Sequence, residues 1–319
     1  MLKAGLDIGG TKCAAVLGRM ESDGAIHVIG RAAFATREAA GPVDCLRRLC
    51  NELAGLLQKF APGETPDGVG ISCGGPLDAE KGIVQSPPNL PGWDDIPVVE
   101  IVSRLTGFPA KLENDANACA LAEWRFGAGR GTRNMIFLTF GTGLGAGVIL
   151  NGKLYGGTNG MAGECGHVRL APEGPVGYGK AGSFEGFCSG GGIAQLGRFR
   201  AEEALAAGKP LAWCRTAADL ENISAKNIAI AADAGDEAAL AVYRESGRKL
   251  GQGLSILIDI LNPERIVIGS IFARSEHLLR PAMEEVLRRE TLAASMDVCR
   301  IVPAELGEAI GDLASLAII

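Results

Sequence analysis

Glycine clusters that follow apolar runs constrain this chain more than any other feature. It has 46 glycines in 319 residues, about twice average usage. They concentrate at Asp7–Thr11, Cys73–Pro76, Gly127–Gly131, Gly141–Gly147, Gly156–Gly166, Gly177–Gly192 and Gly251–Gly253. A flexible linker would spread them evenly. Glycine at a strand end marks a sharp turn, or a place where backbone must approach a ligand. The segments LDIGGTKCAAVLG, from Leu6, and LTFGTGLGAGVIL, from Leu138, are two versions of one β-hairpin with a glycine tip.

The rest of the chain supports a mixed α/β fold built on that duplicated unit. Strands are expected at Lys3–Ile8, Cys13–Gly18, Ile26–Phe34, Val69–Ser72, Met135–Phe140, Ala146–Leu150, Ile266–Gly269 and Val298–Val302. Apolar residues at helical spacing predict a helix over Pro42–Phe60, entered through Pro42. Further helices are expected at Val98–Leu105, stopping at Gly107, and at Ala116–Phe126, with Asn114 or Asp115 as N-cap. Asp236–Leu261, Ser275–Arg289 and a closing Glu305–Ile319 complete the set, and the boundary between halves falls near Asn114–Gly131.

Composition excludes several classes of function. Hydrophobic residues are 47% and charged residues 21%, with a net charge of −6, which fits a folded chain rather than a disordered one. An acidic chain without a basic cluster has neither a nucleic acid nor a membrane surface as its expected partner. The longest apolar stretch, Met135–Leu150, is broken by glycines, and Asp7 interrupts what a signal peptide would need, so a cytoplasmic location is expected. Nine cysteines without a Cys-x-x-Cys pair read as small buried hydrophobes in a reducing compartment.

A glycine hairpin can lay backbone N–H groups against phosphate oxygens, because no Cβ blocks the approach. Thr11 and Lys12 add a hydroxyl and a cation beside the first tip, and Asp7 could hold Mg²⁺ through a water. No G-x-x-x-x-G-K-[ST] loop is present, and Gly141-Thr142-Gly143-Leu144-Gly145 lacks the dinucleotide-binding spacing.

The segments LDIGGTK, ENDANACALAEW, FGTGLGAGVILNGKLYGGTNGMAGECGH and IVIGS, in this order, resemble the repressor–ORF–kinase (ROK) family of sugar kinases. The resemblance implies the actin-like ATPase (ribonuclease H-like) fold, with ATP and a sugar meeting in a cleft that closes around them. It implies a first domain of residues 1–117, closed by a returning helix at 304–319, and a second domain of 118–303. Asp115 would be the general base. Gly75, Asn89, Asn114, Glu164, His167 and Glu185 would bind the sugar. Gly9, Gly10, Thr11, Lys12, Thr142 and Gly143 would hold phosphates, with Gly269 near the adenosine and Asp7 facing Mg²⁺. Family members commonly form dimers, so a homodimer is expected.

One departure from the family pattern stands out. Where most members carry three zinc-binding cysteines, this chain has Val176, Tyr178 and Ser183. No structural zinc is therefore expected, with Tyr178, Phe184 and Phe187 supplying packing in its place. An atypical metal site of Cys165, His167 and Cys188 is the alternative. The other function in view is a sugar-binding regulator of the same family without its DNA-binding domain. LDIGGTK begins at Leu6, which leaves no room ahead of it for a helix-turn-helix and favours the kinase. The residues do not specify which sugar, or which of its hydroxyls, is the acceptor.

Overall fold

The first three strands are β1 (Leu2–Ile8), β2 (Lys12–Met20) and β3 (Ile26–Ala35) in the computed structural model, which describes residues 1–319; β1 and β2 are largely buried, and β3 is the more exposed. β1 and β2 pair antiparallel up to Ile8↔Cys13, so Gly9–Thr11 is a tight tip, as the sequence predicts. Helix α1 (Pro42–Phe60) buries Cys45, Leu46, Leu49, Cys50, Leu53 and Leu56, the stripe expected of a 3.6-residue period. β4 (Val69–Cys73) leads into the short strands β5 (Leu77–Asp78) and β6 (Ile83–Val84). α2 (Val98–Thr106) ends at Gly107, whose φ of 75° is left-handed. β7 (Ala110–Asn114) runs straight into α3 (Asp115–Phe126). The first sheet has the order β3-β2-β1-β4-β7. β1, β4 and β7 are parallel, in register through Ile8↔Cys73↔Asn114, so their carboxyl ends share one edge.

In the second half, β8 (Met135–Leu138) turns through residues 139–145 into β9 (Ala146–Leu150), which pairs with β10 (Lys153–Leu154). A small hairpin, β11 (Val176–Gly177) with β12 (Lys180–Ala181), precedes α4 (Phe184–Cys188), α5 (Gly190–Ala206), α6 (Ala225–Asp233) and α7 (Glu237–Leu261). β13 (Arg265–Ile268), α8 (Ile271–Glu290), α9 (Ala293–Val298), β14 (Arg300–Pro303) and α10 (Ile310–Ala317) complete the chain. β13 lies between β8 and β14, parallel to both. The core beside it gathers Phe184, Tyr243, Leu250, Leu254 and Phe272.

The chain divides into two compact units, and the division differs from the expected cut at 117/118. One unit is Met1–Arg133 with Gly147–Ala162 and Glu305–Ile319; the other is Asn134–Ala146 with Gly163–Ala304. α3 stays with the first unit because its buried Glu123 carboxylate accepts N–H bonds from Ala128 (2.8 Å), Leu306 (2.9 Å) and Glu305 (3.3 Å). β9 joins it because Gly147 lies directly on α3 at Ala116 and Ala120, where any Cβ would overlap. The C-terminal segment lies flat on the first sheet for the same kind of reason: side chains on Gly5 or Gly70 would overlap Ser315 of α10. This segment is a 3₁₀ turn (Gly307–Ala309) followed by α10, rather than one helix from Glu305. Val298 ends α9, so the last strand starts at Arg300, not Val298. Eight of the nine cysteines are buried, Cys119 is half-buried, and none is in a disulfide. No helix is long and apolar enough to cross a membrane.

Candidate active site

In the first unit the expected residues collect at the carboxyl ends of β1, β4 and β7, where parallel α/β sheets present ligand sites. The hairpin tip after β1 is braced from outside: Thr36 Oγ1 donates to Gly9 O (2.6 Å), Thr36 N–H donates to Thr11 O (3.0 Å), and Gly9 N–H donates to Lys12 O (3.1 Å). The N–H groups of Gly10 and Thr11 are left without a protein acceptor. Gly10 is held against Asn89, whose backbone oxygen and Cβ would clash with any side chain there.

Asn89, Asn114 and Asp115 converge on the turn after β4. A methyl placed on Gly74 would stand 3.7 Å from Asn89 Nδ2 and 3.8 Å from Asp115 Oδ2; one on Gly75 would stand 3.4 Å from Asn114 Nδ2. Asn114 is the N-cap of α3: its Oδ1 accepts from Ala116 N–H (2.9 Å), so its amide group is the part turned toward Gly75. Asp115 Oδ1 also accepts from Ala116 N–H (2.8 Å). The helix terminus favours an ionised Asp115, yet desolvation by the surrounding protein outweighs its hydrogen bonds to Ala116 and its own N–H and raises the pKa, although the side chain keeps access to solvent.

Asp7 lies deeper. Burial first, then the charges of Asp312 and Asp115, raise its pKa to about 6, against the opposing Arg31 and Lys12. Arg31 Nε donates to both oxygens of Asp312 at 2.8 Å. A Cβ on Gly311 would stand 4.0 Å from Asp7 Oδ2, so α10 brings its first turn beside this carboxyl. Thr36, Arg31 and Asp312 escape sequence reasoning because no motif surrounds them, and only the tertiary fold brings them to β1.

The second unit builds its hairpin tip in a parallel way. Thr139 N–H donates to Gly145 O (2.9 Å), Gly145 N–H to Thr139 Oγ1 (3.0 Å) and Gly141 N–H to Gly143 O (3.2 Å). Leu144 N–H donates to Glu185 Oε2 (2.9 Å), and Gly190 N–H, at the start of α5, donates to Gly141 O (2.7 Å). Thr142 and Gly143 keep N–H groups without a protein acceptor. Gly269 follows β13 and donates to Leu138 O (2.9 Å); a Cβ on Gly141 would stand 4.0 Å from the neighbouring Ser270 Oγ. Glu185 therefore braces the hairpin as well as facing Gly166, whose Cβ would lie 3.4 Å from its own.

Glu164 is exposed at the entry of the 3₁₀ turn Cys165–His167. The His167 ring meets Tyr178 edge-on, with centroids 5.2 Å apart, and His167 O accepts from Lys180 Nζ (2.7 Å). Phe184 and Phe187 are buried as expected, but Tyr178 is 79% exposed, so its packing contribution is this one ring contact. Burial pushes the Cys165 thiol up to about 12 and raises Cys188 as well; Cys188 Sγ lies 3.6 Å from Ser246 O. No group of three or more His, Cys, Asp or Glu side chains is placed to hold a metal ion. Trp93, 3% exposed, is a core residue of the first unit.

The ROK family profile matches residues 3–318. A glucokinase of Thermotoga maritima is 33% identical over 316 residues, covering 99% of this chain and 96% of the relative. An N-acetylmannosamine kinase of Escherichia coli is 32% identical over 93% of this chain and 92% of its own length. Among solved structures, a ROK family glucokinase from Streptomyces griseus in complex with glucose and AMPPNP is 30% identical, covers 99% of this chain and 98% of that one, and superposes with a TM-score of 0.71. The two-sheet α/β architecture is the actin-like sugar-kinase fold of these proteins, and the chain belongs to the ROK family.

Proposed function

We propose that the protein is an ATP-dependent hexose kinase, acting on glucose, N-acetylmannosamine or a related hexose. The observation that carries this reading is the convergence of Asp115, Asn114 and Asn89 on the Gly74-Gly75 turn of a ROK family chain. In the reaction, a sugar hydroxyl oxygen forms a bond to the γ-phosphorus, the bond from that phosphorus to the ADP oxygen breaks, and the hydroxyl proton passes to Asp115. A carboxyl whose pKa is raised is a better proton acceptor than an ordinary aspartate. Asn114 and Asn89 orient the acceptor through their amide groups, and Gly75 lets the sugar lie close to backbone. Glu164, His167 and Glu185 are assigned to further sugar hydroxyls.

The free amides of Gly10, Thr11, Thr142 and Gly143 are assigned to phosphate oxygens, with Gly9 shaping the first tip, Lys12 adding a cation, and Gly269 bordering the adenosine. Asp7 suits a magnesium ion: a carboxyl raised to about 6 by burial and by neighbouring carboxylates gains from a nearby cation. Mg²⁺ held there supplies neutralisation of phosphate charge.

The test is Asp115→Asn. Removing a general base costs ~10²–10⁴ in rate, so kcat should fall by that factor while sugar affinity, measured by calorimetry, stays within a few-fold. A kcat within threefold of the unmodified protein refutes the assignment.

A further inference from the structure

Behind the first hairpin tip lies a feature that the proposed reaction does not use. Cys13 begins the apolar part of β2, and Cys45 sits in the first turn of α1; they are 0% and 1% exposed. Their sulfurs are 3.5 Å apart, with the Cys45 thiol directed at Cys13. Cys13 Sγ is also 3.4 Å from Thr36 Oγ1, the hydroxyl that donates to Gly9 O, and 3.8 Å from Gly9 O itself. The thiol pair and the glycine tip therefore share one brace.

A cavity of about 270 Å³ reaches this place, lined by Cys45, Thr36, Arg37, Gly10 and Asn89 among others. It is ample for a small oxidant, and it meets the pair at Cys45, which is on its wall while Cys13 is not. The acidity of the pair supports its reactivity: the hydrogen bond from Cys45 is the largest of the effects that bring the Cys13 thiol down to about 7, whereas Cys45 is raised, chiefly by that same hydrogen bond. Such an asymmetric pair has one thiolate to attack and one thiol to resolve. The other cysteines differ: burial raises Cys50, Cys73, Cys119, Cys165, Cys188, Cys214 and Cys299.

We propose that Cys13 and Cys45 form an oxidation site, a dithiol that a hydroperoxide converts to a disulfide and that thereby loosens the grip of the Gly9–Lys12 tip on phosphate. The Cys13 thiolate attacks the peroxide oxygen and becomes a sulfenic acid, releasing hydroxide, which takes up a proton to give water. The Cys45 sulfur then attacks the sulfenyl sulfur, loses its proton, and displaces a second water. Two thiols and one hydrogen peroxide give one disulfide and two waters, and an external thiol reverses the step. Closing the sulfurs from 3.5 Å to the ~2 Å of a disulfide draws Cys13 away from Thr36 and shifts the brace that holds Gly9 and Thr11. The effect on nucleotide rests on the kinase reading; the disulfide itself does not.

The experiment treats the reduced full-length protein with hydrogen peroxide and maps its thiols by mass spectrometry without reduction. Trypsin separates residues 13–19, which hold Cys13, from residues 38–47, which hold Cys45, and from residues 49–59, which hold Cys50. The expected product is a cross-link between the first two peptides, with Cys50 free. Binding of ATP, followed by calorimetry, should weaken at least tenfold on oxidation and return with dithiothreitol. Cys45→Ala should bind ATP normally when reduced and lose this reversible response. Free thiols at both positions, at a peroxide dose that oxidises a small dithiol, overturn the proposal. So does a cross-linked protein with unchanged ATP affinity, or an equal reversible loss in Cys45→Ala. A reduced protein that binds no ATP refutes the kinase reading instead, and the peptide map then decides the oxidation site by itself.

Discussion

Asp7 illustrates how a buried carboxyl lowers the stability of the folded protein. Its pKa is about 6 in the folded state against 3.8 for an ordinary aspartate. The native state therefore binds more protons than the unfolded one between these limits, and stability falls as pH rises through this window. The loss is complete above pH ~6 and absent below pH ~4. Asp7→Asn removes the charge and should stabilise the protein by about 3 kcal/mol at pH 7, with the gain vanishing near pH 4. Urea midpoints at the two pH values check this, and an equal or lower stability of Asp7→Asn at pH 7 contradicts it. At this scale the site was legible where a motif surrounds the residue, as with Asp7, Asn114 and Asp115. Thr36, Arg31 and Asp312 were not legible, since each acts through a contact with a residue distant in sequence. Glu185 stood out as a candidate in a glycine-rich segment, while its bond to Leu144 N–H depends on the folded loop.

Among the elements, the glycine hairpins and α1 follow from local pattern because turn chemistry and apolar spacing agree there. α5 does not. It opens with Gly190-Gly191-Gly192, and glycine costs a helix about 1 kcal/mol per residue relative to alanine. Here Ser189 caps Gly192 N–H (3.0 Å), and a side chain at Gly192 would overlap the Gly186 carbonyl, so packing overrides propensity. The placement of α3 was hidden for a similar reason: Glu123 looks like an ordinary helix charge, yet it holds three backbone N–H groups. Glu123→Ala removes this shared acceptor and should cost about 3 kcal/mol, seen as a lower denaturant midpoint; a change below ~0.5 kcal/mol contradicts this role of Glu123 in holding α3. The β11–β12 hairpin allows a prediction about metal. With Tyr178 against a half-buried His167, and with Val176 and Ser183 unable to serve as cysteine ligands, we expect chelator-treated protein to hold less than 0.1 zinc per chain, on the order of a trace, and to keep its activity. One zinc per chain, with activity lost on its removal, contradicts that expectation.

For the whole molecule, two glycine tips, one in each compact unit, leave paired free amides at Gly10–Thr11 and Thr142–Gly143. The duplicated pattern was visible in the sequence because both tips need glycine for the same steric reason. The division of the chain was less visible, because Gly147–Ala162 and Glu305–Ile319 return to the first unit through contacts that no local pattern announces. The proposed function turns on whether this ROK family chain transfers phosphate from ATP to a hexose. A coupled ADP-release assay across aldoses, ketoses and N-acetylated hexosamines, with the product identified by mass spectrometry, measures that transfer directly. One ADP per sugar monophosphate is expected for at least one hexose, with the rate falling ~10²–10⁴-fold in Asp115→Asn. Sugar binding without release of ADP, for every member of the panel, would contradict it.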